Sequence, residues 1–170
     1  MSFKVGFGRV NANPMMGIEI AGYFKVRIAD GILDDLEVNA IALECNDKKI
    51  VMLSIDHCGL NKILLGEYRE MIAKATGLEM DSIFIAATHT HTGPKIDLKN
   101  LDEKSAAYKD FLVCGGLFVE IFKIDEKSAA YKDFLGLRCV DAAVFALADL
   151  KPAKMGYACH NSSFYPTRLP

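Results

Sequence analysis

The run "IFIAATHTHTGP", Ile83 to Pro94, ends an apolar stretch on two histidines one residue apart, His89 and His91, with threonines at positions 88, 90 and 92. The whole chain holds only 4 histidines, so half of its imidazoles fall in this one motif. Neutral imidazole is a good zinc ligand, and in an extended segment residues i and i+2 point to the same face. The spacing therefore predicts that His89 and His91 project together and hold one zinc ion. The threonines can hydrogen-bond the rings and orient them. Gly93 and Pro94 turn the chain, which places the pair at a surface cleft. A plainer alternative stays open, in which one ring is a core residue and the other belongs to an exposed loop.

A catalytic zinc takes three protein ligands and keeps one position open. Two histidines leave that set short, and Asp56, His57 and His160 are the candidates to extend it. Asp56 ends the neighbouring run "KKIVMLSID" and fits either a catalytic place beside the metal or a capping or turn role. His57 points away from Asp56 if the strand continues, so a structural role is expected. His160 follows the last predicted strand, near the same edge.

The elements that must position these groups are legible. "KKIVMLSID" (Lys48 to Asp56) and "SIFIAAT" (Ser82 to Thr88) are short apolar runs of the kind found in strands covered on both faces. Between them Leu60, Leu64, Tyr68, Met71 and Ala75 repeat at helical spacing, with Gly77 placed to end the helix. Strand, helix, strand predicts a βαβ unit at the core of an α/β fold with a mixed sheet and flanking helices. Ligands collect at the carboxyl ends of such strands, where Asp56 and His89 lie.

The first 45 residues predict irregular or antiparallel β structure, with a turn at "NANPMMG" and a strand-like "AGYFKVRIADG". A second helix is expected in "LRCVDAAVFALADLKPA", on Leu137, Val140, Val144, Leu147 and Leu150, with Pro152 as its stop. A short strand is expected in "KMGYAC".

At 170 residues the chain suits one domain. A formal charge of −2 and the lack of a basic stripe exclude nucleic acid as the main partner. No apolar run reaches the ~18–20 residues that span a bilayer, and no secretory signal is expected. The 5 cysteines are scattered without a C-x-x-C, which predicts reduced thiols in a cytoplasmic protein.

The undecapeptide "DEKSAAYKDFL" occurs twice, at Asp102 to Leu112 and at Asp125 to Leu135. Structural repeats keep buried positions and let exposed ones drift. Identity that includes the charged positions indicates a recent or artificial duplication, with "VCGGLFVEIFKI" as displaced sequence between the copies. One copy runs directly into "GLRCVDAAVFALADL", giving one long amphipathic helix.

"ATHTHTGP" closely resembles the histidine motif of the neutral/alkaline (non-lysosomal) ceramidases, A-T-H-T-H-S-G-P. "GFGRVNANPMMGIEIAGY", "RIADGILDDLEVNAIALEC" and "IVMLSIDHCGL" resemble the family's opening segments, so the likeness runs from Met1 to about Ile96 and resumes in "DAAVFALADLKPAKMGYA". The resemblance implies a zinc-dependent hydrolase that cleaves a small-molecule or lipid amide, ceramide in the family's case. It makes His89 a direct ligand and His91 a catalytic residue beside the metal. The family's other ligands, a second histidine, a glutamate and a tyrosine, lie downstream of Pro170. The chain is thus expected to be the N-terminal portion of a larger catalytic domain. An Asn-Arg pair that contacts substrate in the family has only Arg168 as a loose counterpart, expected to bind substrate here. Two other readings are weaker. Other H-x-H metallohydrolases include the type that extends the motif to H-x-H-x-D-H, and here Gly93 occupies the aspartate position. A non-catalytic, truncated scaffold is the alternative outside enzymes.

Overall fold

The computed structural model of the chain describes residues 3–96 and 126–156. Three antiparallel strands carry the architecture: β1 (Phe3–Asn11), β2 (Glu37–Cys45) and β3 (Lys48–Ile55). The β2–β3 connection is the two-residue turn Asn46-Asp47, both at positive φ, 49° and 63°. That geometry matches the right-handed twist of the flanking strands, and Asn and Asp tolerate it better than most residues. Cys45 then pairs with Lys48, and the register runs without slip to Val38 opposite Ile55.

After β3 the chain forms α1 (Lys62–Thr76), a single 3-10 turn (Met80–Ser82) and β4 (Ile83–Ala87). The side chain of Asn61 accepts from the Leu64 N–H at 2.9 Å and caps the helix start. Gly77, at φ 72°, closes its end, the left-handed cap that glycine adopts without a Cβ penalty. β4 pairs parallel to β3, so the expected βαβ unit is present and forms one edge of the sheet. α2 (Glu126–Ala148) and the two-residue edge strand β5 (Lys151–Pro152) complete the order β4-β3-β2-β1-β5. The architecture is α/β with a mixed sheet.

Both helices pack on one face. α1 buries Leu64, Tyr68 and Ile72, each apolar side chain contributing about 1.5–3 kcal/mol. Ile72 takes the inward place that the spacing assigned to Ala75, which is exposed. The face of α2 differs more from expectation. Tyr131, Leu135, Cys139, Ala142, Ala143 and Ala146 point inward, whereas Leu137 and Val144 are 54% and 39% exposed. The cause is distance: a Cβ at Gly6 would lie 2.0 Å from the Ala146 carbonyl oxygen, and one at Gly8 2.1 Å from that of Ala142. A helix this close to β1 admits alanine and cysteine at its contact line, and Leu137 and Val144 are turned outward, while Val140, Leu147 and Leu150 pack at the margin of the core. Hydrophobicity alone selects a stripe offset from the buried one, correct in part at Val140, Leu147 and Leu150.

The other sheet face is also apolar. Phe7, Ile41, Met52 and Phe84 are exposed and stand in one cross-strand row, Phe7 opposite Ile41, Ile41 opposite Met52 and Met52 opposite Phe84. One face thus carries the core and the other a bare apolar ladder.

Two expectations are corrected. "AGYFKVRIADG" forms no named strand; it contributes only the bridge residue Ile28, opposite Glu19, and Phe24 and Val26 are exposed. Among the described residues the last strand is Lys151–Pro152, paired with Lys4 and Val5 of β1 at an edge where proline is tolerated; of the expected run from Lys154, residues 154–156 form no strand and the rest lies outside the described residues. Ser128, Tyr131 and Leu135 of the second undecapeptide copy are buried in α2, so this copy is part of the long helix. The first copy and the spacer lie outside the described residues. No described helix is long and apolar enough to cross a membrane.

Candidate metal centre

β4 ends at Ala87, two residues before the first histidine. Thr88 and His89 still donate their backbone N–H groups to the Ile55 and His57 carbonyls, at 2.9 and 3.0 Å. His89 itself turns into the left-handed region, φ 65°. The two histidines therefore do not share a strand face, as the alternation of an extended segment predicts. They converge by another route: the turn at His89 swings its ring back, and Nε2 of His91 stands 3.3 Å from Nε2 of His89. The ring centroids are 5.0 Å apart and the planes cross at 69°. Both rings are exposed. A left-handed backbone in a non-glycine residue is costly and tends to persist where the surroundings hold it. Here the hold includes a 2.6 Å contact between His89 Nδ1 and the Cys58 carbonyl oxygen. A carbonyl only accepts, so Nδ1 carries the proton and Nε2 presents its lone pair.

His91 is positioned from the N-terminal segment. Ala21 donates to the Gly93 carbonyl at 2.9 Å and Lys95 to that of Glu19 at 2.8 Å, and the Lys95 ammonium meets the Glu19 carboxylate at 2.9 Å. The His91 ring lies directly over Gly22, whose φ is 88° and whose Cβ, if present, would be 2.5 Å from the ring's Cγ. Tyr23 meets the same ring edge-on at 6.1 Å, and the Arg27 guanidinium covers Tyr23 at 4.3 Å. None of these residues entered the sequence-based candidate set. The only signal was a glycine before an aromatic residue in "AGYF", which carries no metal chemistry of its own.

Asp56 is not brought to the histidine pair. Its carboxylate accepts from the Glu37 N–H and the Thr88 hydroxyl, both at 3.0 Å, tying β3 to β2 and to the residue before His89. His57 is buried, 3% exposed, as its structural reading expects. Its Nδ1 contacts the Gly59 carbonyl at 2.7 Å. Burial lowers its pKa, against the opposing pull of the Gly59 and Pro94 carbonyls. Nε2 makes no hydrogen bond of acceptable geometry among the described residues. Arg168 and His160 lie outside the described residues.

Beside the pair opens a cavity of about 630 Å³, with Asp56, Thr90 and Thr92 in its wall together with Arg27, Asp30 and Asp35. Thr90 and Thr92 face this cleft, whereas His89 and His91 are not among its lining residues. Thr90 and Thr92 also bond to one another, Oγ1 to Oγ1, at 2.9 Å. They do not hold the imidazoles as the sequence suggested.

The donor set suits a metal ion. Zinc–nitrogen bonds of ~2.0–2.1 Å at a tetrahedral angle separate two nitrogen ligands by about 3.3–3.4 Å, the spacing the two Nε2 atoms already have. One further group, Cys58, brings a donor atom to within 4.8 Å of both histidines.

No protein-family model matches the sequence, and no curated protein does. The fold itself has close counterparts among solved structures. Neutral ceramidase from Pseudomonas aeruginosa superposes with a TM-score of 0.65 at 19% identity, over 89% of this chain and 22% of that one. A ceramidase complexed with C2 gives a TM-score of 0.62 at 20% identity, over the same shares. The class is thus a ceramidase-like α/β fold, and the chain spans about a fifth of the length of the ceramidases it resembles.

Proposed function

We propose that this chain carries part of a zinc-dependent amide hydrolase site of the ceramidase type, acting on a small-molecule or lipid amide. The observation that supports it most is the 3.3 Å approach of the His89 and His91 Nε2 atoms on a fold shared with neutral ceramidase. Zinc supplies Lewis acidity and a nucleophile at neutral pH when bound to such donors.

The chain's own residues divide the remaining work. His89, its Nδ1 proton committed to the Cys58 carbonyl, offers Nε2 to the ion. His91 shares the ion or, when free of it, donates to the oxyanion that forms as the amide carbonyl is attacked. Asp56 holds Thr88, and through it the approach to His89. Gly22 lets the His91 ring lie flat against the backbone. The cavity beside the pair has room for a substrate chain, and the ladder of exposed apolar side chains leaves surface for the rest of a ceramidase-length protein to cover.

Metal content is the direct test. Purified protein should hold about one equivalent of zinc, and His89→Ala should hold none while keeping its circular dichroism spectrum. His91→Ala should lower turnover of a short N-acyl amide by about 10²–10³ in a preparation that hydrolyses it. Equal zinc in wild type and His89→Ala rejects the assignment.

A further inference from the structure

We infer that His57 is a positioning residue for the metal centre: its buried ring clamps the turn 57–59, whose carbonyls hold His89 with Nε2 free for the ion. The inference rests on the reading of the histidine pair as a metal site and adds the residue that sets the tautomer and direction of one ligand.

Three successive carbonyls define the clamp. That of His57 accepts the His89 N–H at 3.0 Å, and that of Cys58 meets His89 Nδ1 at 2.6 Å. The third, of Gly59, stands 2.7 Å from Nδ1 of His57 itself. Two peptide groups therefore grip His89, one by its backbone and one by its ring, and the His57 side chain closes on the next. A carbonyl only accepts, so the His57 proton lies on Nδ1. The Gly59 N–H is 3.2 Å from the same nitrogen, but one nitrogen cannot both donate and accept, and the opposite tautomer would set two acceptors 2.7 Å apart. The bond joins a side chain to the carbonyl two residues on, a span over which side-chain-to-backbone bonds stabilise turns. It fixes the peptide planes on either side of Cys58, and with them the carbonyl that sets the His89 tautomer. Partners of a ligand's second nitrogen orient the ring, and losing one costs ~10–100-fold in metal affinity.

The His57 ring is 3% exposed, yet its Nε2 has no hydrogen-bond partner among the described residues. A buried acceptor left unpaired costs free energy, and an apolar side chain of similar volume would avoid that cost. Packing alone thus favours leucine here, and what histidine adds is the donor at Nδ1. The loop path points the same way. A Cβ at Gly93 would lie 3.6 Å from His57 Cα and 3.3 Å from the Asp56 carbonyl oxygen. The turn therefore touches the motif at His89 and again near Gly93, on either side of His91.

Long-range proton–nitrogen NMR of the metal-free full chain reads the tautomer of each ring, and 4 histidines give few signals to assign. Wild type should show His57 and His89 both protonated on Nδ1. His57→Leu fills the volume without a donor, so it should stay folded and shift His89 toward the Nε2-protonated form. It should also bind zinc at least about 10-fold more weakly in competition with a chelator. His57→Asn places an amide N–H near the site of Nδ1 and should restore both the His89 tautomer and most of the zinc affinity. A merely structural role would change stability in the two variants and leave the His89 tautomer as it is. His57 protonated on Nε2 in wild type would overturn the inference with no variant needed. So would His89 keeping its Nδ1 proton in folded His57→Leu, zinc affinity equal in wild type and His57→Leu, or His57→Asn failing to restore the tautomer. If wild type binds no zinc while the tautomers behave as expected, the metal reading fails and the hold of His57 on His89 stands.

Discussion

Gly8 and Gly22 both stand beneath close neighbours, and the neighbours differ in kind. At Gly8 the missing Cβ makes room for helix backbone, with the Ala142 carbonyl oxygen at 2.1 Å from where it would be. At Gly22 it makes room for a side chain, the His91 ring at 2.5 Å. The first contact is between two regular elements, each locked by its own hydrogen bonds, and neither can yield. The second is between a bridge-bonded loop and one imidazole that can rotate. The same absence of a side chain therefore secures the fold in one place and aims a functional group in the other.

Substitution should separate the two. Gly8→Val forces α2 off the sheet and should cost about 3 kcal/mol or more, a large share of the ~5–15 kcal/mol typical of whole domains. Loss of a cooperative thermal transition would show it, and an unchanged melting temperature would mean that α2 does not sit this close. Gly22→Ala should cost less, ~1–2 kcal/mol for the left-handed backbone alone, so the fold should survive. Its larger consequence is local. A displaced His91 should weaken zinc binding at least about 10-fold, comparable to loss of a supporting partner, and zinc titration of the folded variant would measure it.

The smallest effect involves no change in stability. Cys139 lies against the sheet under α2, and burial pushes its pKa up to about 12. Its protonated form predominates throughout the range below that value, so alkylation at pH 8 should leave it unmodified in native protein. Cys58, half-buried in the site turn, should react under the same conditions when no metal is present. Peptide mass spectrometry resolves both, and rapid modification of native Cys139 would contradict the close packing of α2.

The histidine motif, the βαβ unit and the C-terminal cap of its helix were readable because each depends on neighbours in sequence. Gly77 ends α1 where the spacing placed it. The inward stripe of α2 was readable only at its margin, where Val140, Leu147 and Leu150 pack against the core. Leu137 and Val144 are the more hydrophobic choices, and only the approach of β1 explains why Cys139, Ala142 and Ala146 displace them. The strand-face argument for His89 and His91 reached the right convergence through the wrong geometry, since a left-handed turn at His89, and not strand alternation, brings the rings together. Cys58 escaped notice for a similar reason. Thirty-one residues separate it from His89, and nothing in that spacing resembles a ligand pattern.

By itself, the sequence determined the local chemistry: which residues can ligate, where α1 ends, and that the runs before Asp56 and Thr88 are strands. These follow from propensity and periodicity, which act over a few residues. Tertiary structure decided which thiol comes near the histidines, what supports each ring and which side of α2 is buried. Those outcomes depend on distances between segments far apart in the chain, and such distances exist only after β3, β4 and the N-terminal loop have docked.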